Sequence, residues 1–141
     1  MIRFVAAVAD NLNNILCIRN NMIVAVTSQG VDINSQMDQR FGRASHILIV
    51  DSETMEFKVM DNQQNSNLLK GAGIQTSVNI KEAGAEVLMT GFCGPNAIKT
   101  LNASKVKVIT DVSGSVKEAM ELFNSGNFKY STEANAQGHS M

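Results

Sequence analysis

His46-Ile47-Leu48-Ile49-Val50 and Phe57-Lys58-Val59-Met60 are the two runs on which the fold turns. The first is apolar and rich in β-branched residues, the composition of a buried strand. The second alternates apolar with polar, which suits a strand with one wet face. Between them runs the short polar link Asp51-Ser52-Glu53-Thr54, so the pair predicts an antiparallel hairpin.

Working outward, Met22 opens another strand, Ile23-Val24-Ala25-Val26-Thr27. Downstream the pattern becomes strand–helix alternation. Ile74, Val78 and the stem of Lys81 share a helical face after Gly71-Ala72-Gly73, and Gly84 closes that helix. Glu86-Val87-Leu88-Met89-Thr90 reads as a buried strand. Pro95, favoured at the first helical position, begins the next helix. Val106-Lys107-Val108-Ile109-Thr110 is the last strand. Ser115-Val116-Lys117-Glu118 is a capping box, Val116, Ala119, Met120 and Phe123 line one helical face, and Gly126 is the expected left-handed stop.

The predicted order is β-β-β-α-β-α-β-α. Right-handed crossovers place the later strands beside the first. An α/β domain results, with helices on both faces of a mixed five-stranded sheet of order 3-2-1-4-5 whose strand 2 is antiparallel. This is the ribonuclease H-like arrangement. Residues 22–130 form the domain, 131–141 read as a flexible polar tail, and 1–21 as an extension of uncertain role: either a segment packed as strand or helix, or a leader ahead of a natural start at Met22.

Composition narrows the function. A chain of 141 residues fits one domain, and 44% hydrophobic residues support a packed core. A net charge of −1 without a basic stripe argues against nucleic acid as partner. Cys17 and Cys93 read as free thiols in a reducing, cytoplasmic setting. No apolar run approaches the roughly 20 residues of a membrane helix. Phe4 to Ala9 superficially resembles a signal peptide, but the run is short and Asp10 interrupts it.

Open α/β sheets bind ligands at the carboxyl ends of their parallel strands. Three segments are expected there: the loop Ser28 to Ser45 with Arg40-Phe41-Gly42-Arg43, the turn Gly91-Phe92-Cys93-Gly94-Pro95-Asn96, and Asp111-Val112-Ser113-Gly114. Gly91 and Gly94 permit close backbone approach, and the helix start at Pro95 favours an anion. Cys93, just ahead of that helix, is expected to have a lowered pKa and to ligate a soft metal; the alternative is a small buried apolar residue. Arg40 and Arg43 suit an anionic ligand, unless Arg43 ties the loop to Asp38 or to carbonyls at the sheet edge. Gly42 is expected to supply a special backbone angle. His46 reads as a strand-edge residue, and His139 lies in the tail. No CxxC or HxxxH spacing, Walker loop, nucleophile elbow or dinucleotide fingerprint is present.

Together these pieces resemble the dinitrogenase iron–molybdenum cofactor biosynthesis family, from Met22 to about Phe128. The opening strand Ile23–Thr27, the loop Phe41-Gly42-Arg43-Ala44, the turn Gly91–Ala97 and the helix start Ala72-Gly73-Ile74-Gln75 carry the likeness. The resemblance implies a non-catalytic protein that binds or carries an iron–molybdenum cofactor, its precursor or another metal–sulfide cluster. Phe41, Gly42, Arg43, Gly91, Gly94 and Asn96 would contact the cofactor and Cys93 a metal. A cluster donor or acceptor protein would be its partner, and the chain itself a monomer or weak homodimer. The sequence lacks the cysteine-rich motif of a cluster-building radical enzyme. A ribonuclease H-type nuclease is disfavoured because Ile23–Thr27 holds no carboxylate and strand 4 offers only Glu86. A regulatory or scaffolding module without metal is the remaining alternative.

Overall fold

The strand Ile23–Ser28 (β1) runs through the centre of the sheet, and alternation along it sends side chains to two different cores. In the computed structural model, which describes residues 22–67 and 71–135, β1 is joined by β2 (His46–Asp51), β3 (Phe57–Asp61), β4 (Val87–Met89) and β5 (Lys107–Ile109) in the order β3-β2-β1-β4-β5. The hairpin is present as expected: β2 is antiparallel to both β1 and β3, whereas β1, β4 and β5 are parallel. The helices are α1 (Gln63–Ser66), α2 (Ala72–Glu82), α3 (Pro95–Ala103) and α4 (Val116–Ser125); the single turn of α1 is too short for periodicity to signal it.

Val24 and Val26 point to one face, where Leu48, Val50 and Met89 meet Val116, Met120 and Phe123 of α4. Ala25 points to the other, with Ile47, Ile49, Leu88, Ile80 of α2 and Leu101 of α3. Val24, Val26, Leu48 and Leu88 are fully buried, and each such side chain contributes about 1.5–3 kcal/mol relative to exposure. The helices therefore cover both faces. On α4, Ser115 Oγ accepts from the Glu118 amide at 3.0 Å, the Glu118 carboxylate accepts from the Ser115 amide at 2.8 Å, and Gly126 takes φ 78°.

Two expectations fail. The apolar stripe of α2 faces outward: Ile74 and Val78 are 41% and 38% exposed, while Ala72, Thr76, Ser77 and Ile80 are buried. Small residues let this helix approach its neighbours, and its buried hydroxyls are satisfied inside: Thr76 Oγ1 donates to Asn62 Oδ1 at 3.1 Å and Ser77 Oγ to the Gly73 carbonyl at 2.6 Å. The polar tail is also ordered further than expected. Ser131 bridges the free edge of β5 through its amide to the Val108 carbonyl at 2.6 Å, and Ala134 packs on the α2–α3 core. Edge strands leave backbone groups unpaired, which is what draws Ser131 in. The extension 1–21 with Cys17, and His139, lie outside the described residues. No helix among the described residues is long and apolar enough to cross a membrane.

Candidate ligand-binding crevice

At the carboxyl end of β1 the buried Thr27 donates through Oγ1 to the Asp38 carbonyl at 2.6 Å and lies 3.2 Å from Thr90 Oγ1. This pair fastens the long first loop over the ends of β1 and β4. Two backbone bonds, Phe92 to the Gln39 carbonyl at 2.6 Å and Phe41 to the Phe92 carbonyl at 3.1 Å, join that loop to the Gly91–Gly94 turn. The Met37 amide donates to the Gly114 carbonyl at 2.8 Å. The three segments expected to meet do so.

The glycines act by close approach. A Cβ on Gly91 would collide with the Gln39 side chain and lie 2.8 Å from its carbonyl oxygen. Gly42 has no left-handed backbone; instead a Cβ there would meet Gly73 and Ala72 backbone, so the expectation of a special angle is replaced by one of space. Gly73 in turn rests on Ala97, which brings the first turns of α2 and α3 side by side under the Phe41-Gly42-Arg43 loop. Neither helix has a side-chain cap, and neither first turn holds an acidic residue: the cap positions are Gly71 and Gly94. Gly94 is extended (φ −77°, ψ 171°) and Pro95 opens α3 as expected. No side chain among the described residues caps either of these two adjacent helix starts, the exposed Arg43 and the Asp38-paired Arg40 lie nearby, and first-turn N–H groups favour an anion. Asn96 is exposed on the first turn of α3.

Of the other candidates, His46 opens β2 as expected, and the rest are placed differently. Phe41 is 2% exposed and belongs to the core below the loop, so its ring anchors the loop. The ion pair to Asp38 is made by Arg40, with Nε 3.6 Å from Oδ1. His46 pairs with Asp61 across the hairpin, and its Nδ1 lies 3.2 Å from Ser45 Oγ. Cys93 is 1% exposed among Phe41, Ala97 and Ile98. Burial pushes its thiol up to about 12, overturning the lowered pKa expected from the helix start. The desolvation of a side chain turned into the core outweighs the helix dipole.

Sequence reasoning missed two asparagines. Asn62, 1% exposed, donates to the Ala44 carbonyl at 2.8 Å and accepts from Thr76 and Asn65, each at 3.1 Å. Asn135 grips the Gly91–Cys93 turn. Both act across long sequence separations, and neither sits in a pattern that marks it. An open concavity of about 350 Å³ flanks the crevice beyond β5, between Thr110 and Val112 on one side and Leu122 and Phe128 on the other. No three His, Cys, Asp or Glu side chains gather to hold a metal ion among the described residues.

The fold and site thus define an α/β domain with a glycine-lined crevice built from three loops. Residues 20–126 match the family described as dinitrogenase iron-molybdenum cofactor, and the chain belongs to it. The orange protein of Desulfovibrio gigas, solved in its apo form, is 35% identical over 82% of this chain and 97% of its own, with a TM-score of 0.79. A Thermotoga protein provisionally described as NifB is 32% identical over 83% of this chain and 99% of its own, with a TM-score of 0.71. A Methanocaldococcus jannaschii protein provisionally described as a dinitrogenase shares the fold, with 17% identity over 80% of this chain and 97% of its own and a TM-score of 0.60. Among curated proteins none matches.

Proposed function

We propose that this chain is a non-catalytic cytoplasmic carrier of an anionic metal–sulfide cluster or iron–molybdenum cofactor precursor, which it receives from or delivers to a partner protein. The observation that carries this reading is the pairing of two uncapped helix starts beneath the Phe41-Gly42-Arg43 loop. The donors gathered there are N–H groups and guanidinium, the chemistry for holding an anion rather than for ligating a bare metal ion. The cargo is then held from outside, through Arg43 and the amides around Gly42, Gly94 and Asn96. The family membership and the likeness to the orange protein support the class of cargo. A ribonuclease H-type two-metal nuclease is disfavoured, because β1 carries no carboxylate and Glu86 accepts from the Ile23 amide at the opposite end of the sheet.

The test is anaerobic equilibrium binding of tetrathiomolybdate, and reconstitution with iron, sulfide and molybdate, followed by elemental analysis. Arg43→Ala is expected to weaken binding on the order of ten-fold or more, with a reduced salt dependence. Cys93→Ala is expected to leave it nearly unchanged. Loss in Cys93→Ala alone would overturn the charge-based reading in favour of thiolate ligation. A second reading, a protein-interaction module, is favoured by the exposed Ile74 and Val78 on α2; absence of any metal uptake would transfer the weight to it.

A further inference from the structure

Asn135 carries more of the crevice than any residue in its own segment. Its Oδ1 accepts from the Cys93 amide at 2.8 Å, its Nδ2 donates to the Gly91 carbonyl at 2.8 Å and to Asp111 Oδ1 at 3.1 Å, and its backbone N–H donates to the Cys93 carbonyl at 3.2 Å. The oxygen end of the amide meets a donor and the nitrogen end meets two acceptors, so both ends of the side chain are matched. Four residues earlier Ser131 is fixed to the β5 edge, its Oγ 2.7 Å from Thr110 Oγ1. Between the two anchors Ala134 rests on the core cluster that contains Cys93. The stretch 132–135 has no helix or ladder pairing of its own; besides a long bond from Asn102 Nδ2 to the Thr132 carbonyl at 3.5 Å and the packing of Ala134, Asn135 makes the contacts that close it. Asp111, which accepts from that side chain, takes a left-handed φ of 63°, a turn conformation that aspartate tolerates better than most non-glycine residues.

We infer that residues 131–135 are a strap that latches through Asn135 onto the Gly91–Cys93 turn and controls access to it. Closed, the strap occupies the Cys93 amide and carbonyl, adds a second donor to the Gly91 carbonyl that Asp111 already holds, and lays Ala134 on the core cluster that contains the thiol. Open, it releases these backbone groups and uncovers Cys93 while the sheet stays intact. Segments with few anchoring contacts open locally, well below the cost of global unfolding. The inference rests on the proposed carrier reading only in that the latched turn belongs to the same crevice.

The test uses the full chain with Cys17→Ser as background, in three forms: wild type at position 135, Asn135→Ala and Asn135→Asp. The aspartate keeps an acceptor for the Cys93 amide but turns a second oxygen toward Gly91 and Asp111. Amide exchange is followed by residue, and Cys93 is labelled under native conditions with a small thiol reagent. Both variants are expected to speed exchange at Cys93, and labelling of Cys93, on the order of ten-fold or more, with the Phe92 amide, which is held by Gln39, and the β1 and β4 amides unchanged. Labelling at the wild-type rate would overturn the strap. Equal acceleration across β1 and β4, or failure of both variants to fold, would also overturn it, because Asn135 would then be a structural brace. No ligand enters the readout, so failure of cluster binding and failure of the strap are seen separately.

Discussion

Gly42 and Gly73 meet backbone to backbone: a Cβ on Gly42 would lie 2.6 Å from the Gly73 amide nitrogen and 2.8 Å from its Cα. Backbone cannot rotate out of the way as a side-chain tip can. Gly42→Ala is therefore expected to destabilise the fold by about 1–3 kcal/mol, the usual range for overpacking. Urea unfolding with an unchanged slope checks it. A cost below about 0.5 kcal/mol would show that the α2 start yields freely.

Asn62 ties the loop before β2 to α2 from a fully enclosed position, with its side chain bonded to Ala44, Thr76 and Asn65. Asn62→Ala leaves the Ala44 carbonyl and the Thr76 hydroxyl without this partner. A loss of about 2–4 kcal/mol is expected from unsatisfied buried groups. The same unfolding experiment measures it, and amide exchange in residues 42–45 should accelerate first.

Cys93 predicts an alkaline limb in stability. Its folded-state pKa is raised from the ordinary 9.0 to about 12 by burial. A group whose folded pKa is raised contributes stability that is full below its unfolded pKa and is lost as pH rises through the folded one. Wild type should therefore lose stability between pH 9 and about 12 relative to Cys93→Ala. Parallel curves for the two proteins over that window would show that the thiol is not sealed.

The outward stripe of α2 makes a paired prediction. Val78→Ala is expected to cost less than about 1 kcal/mol, whereas Ile80→Ala, at a site with no exposed surface, should cost about 2–5 kcal/mol. A larger loss at Val78 than at Ile80 in thermal or urea unfolding would reverse the face assigned to the helix.

Much of the architecture is legible in the order of the residues. The apolar, β-branched runs of β1 and β2, the polar link at Asp51, the capping box at Ser115 and Glu118, and the stop at Gly126 are local signals, and each is realised where the residues stand. Strand order follows because connection rules leave few ways to return a parallel strand beside β1. The loops of the crevice follow from the same topology. What fails is orientation. Ile74 and Val78 have the spacing of a core face on α2, but contact with Ala97 and Asn62 selects small and hydroxylated residues for the inside.

The sequence by itself determined the α/β class, the hairpin and the meeting of three loops at one end of the sheet, because these depend on periodicities within a few residues of one another. Only the tertiary structure decided the state of the Cys93 thiol, the packing role of Gly42 and the grip of Asn135. Asn135 and Cys93 are 42 residues apart and bonded at 2.8 Å. Nothing in either neighbourhood encodes the other; the contact exists because the folded sheet leaves an edge at β5 that brings residues 131–135 back across the crevice.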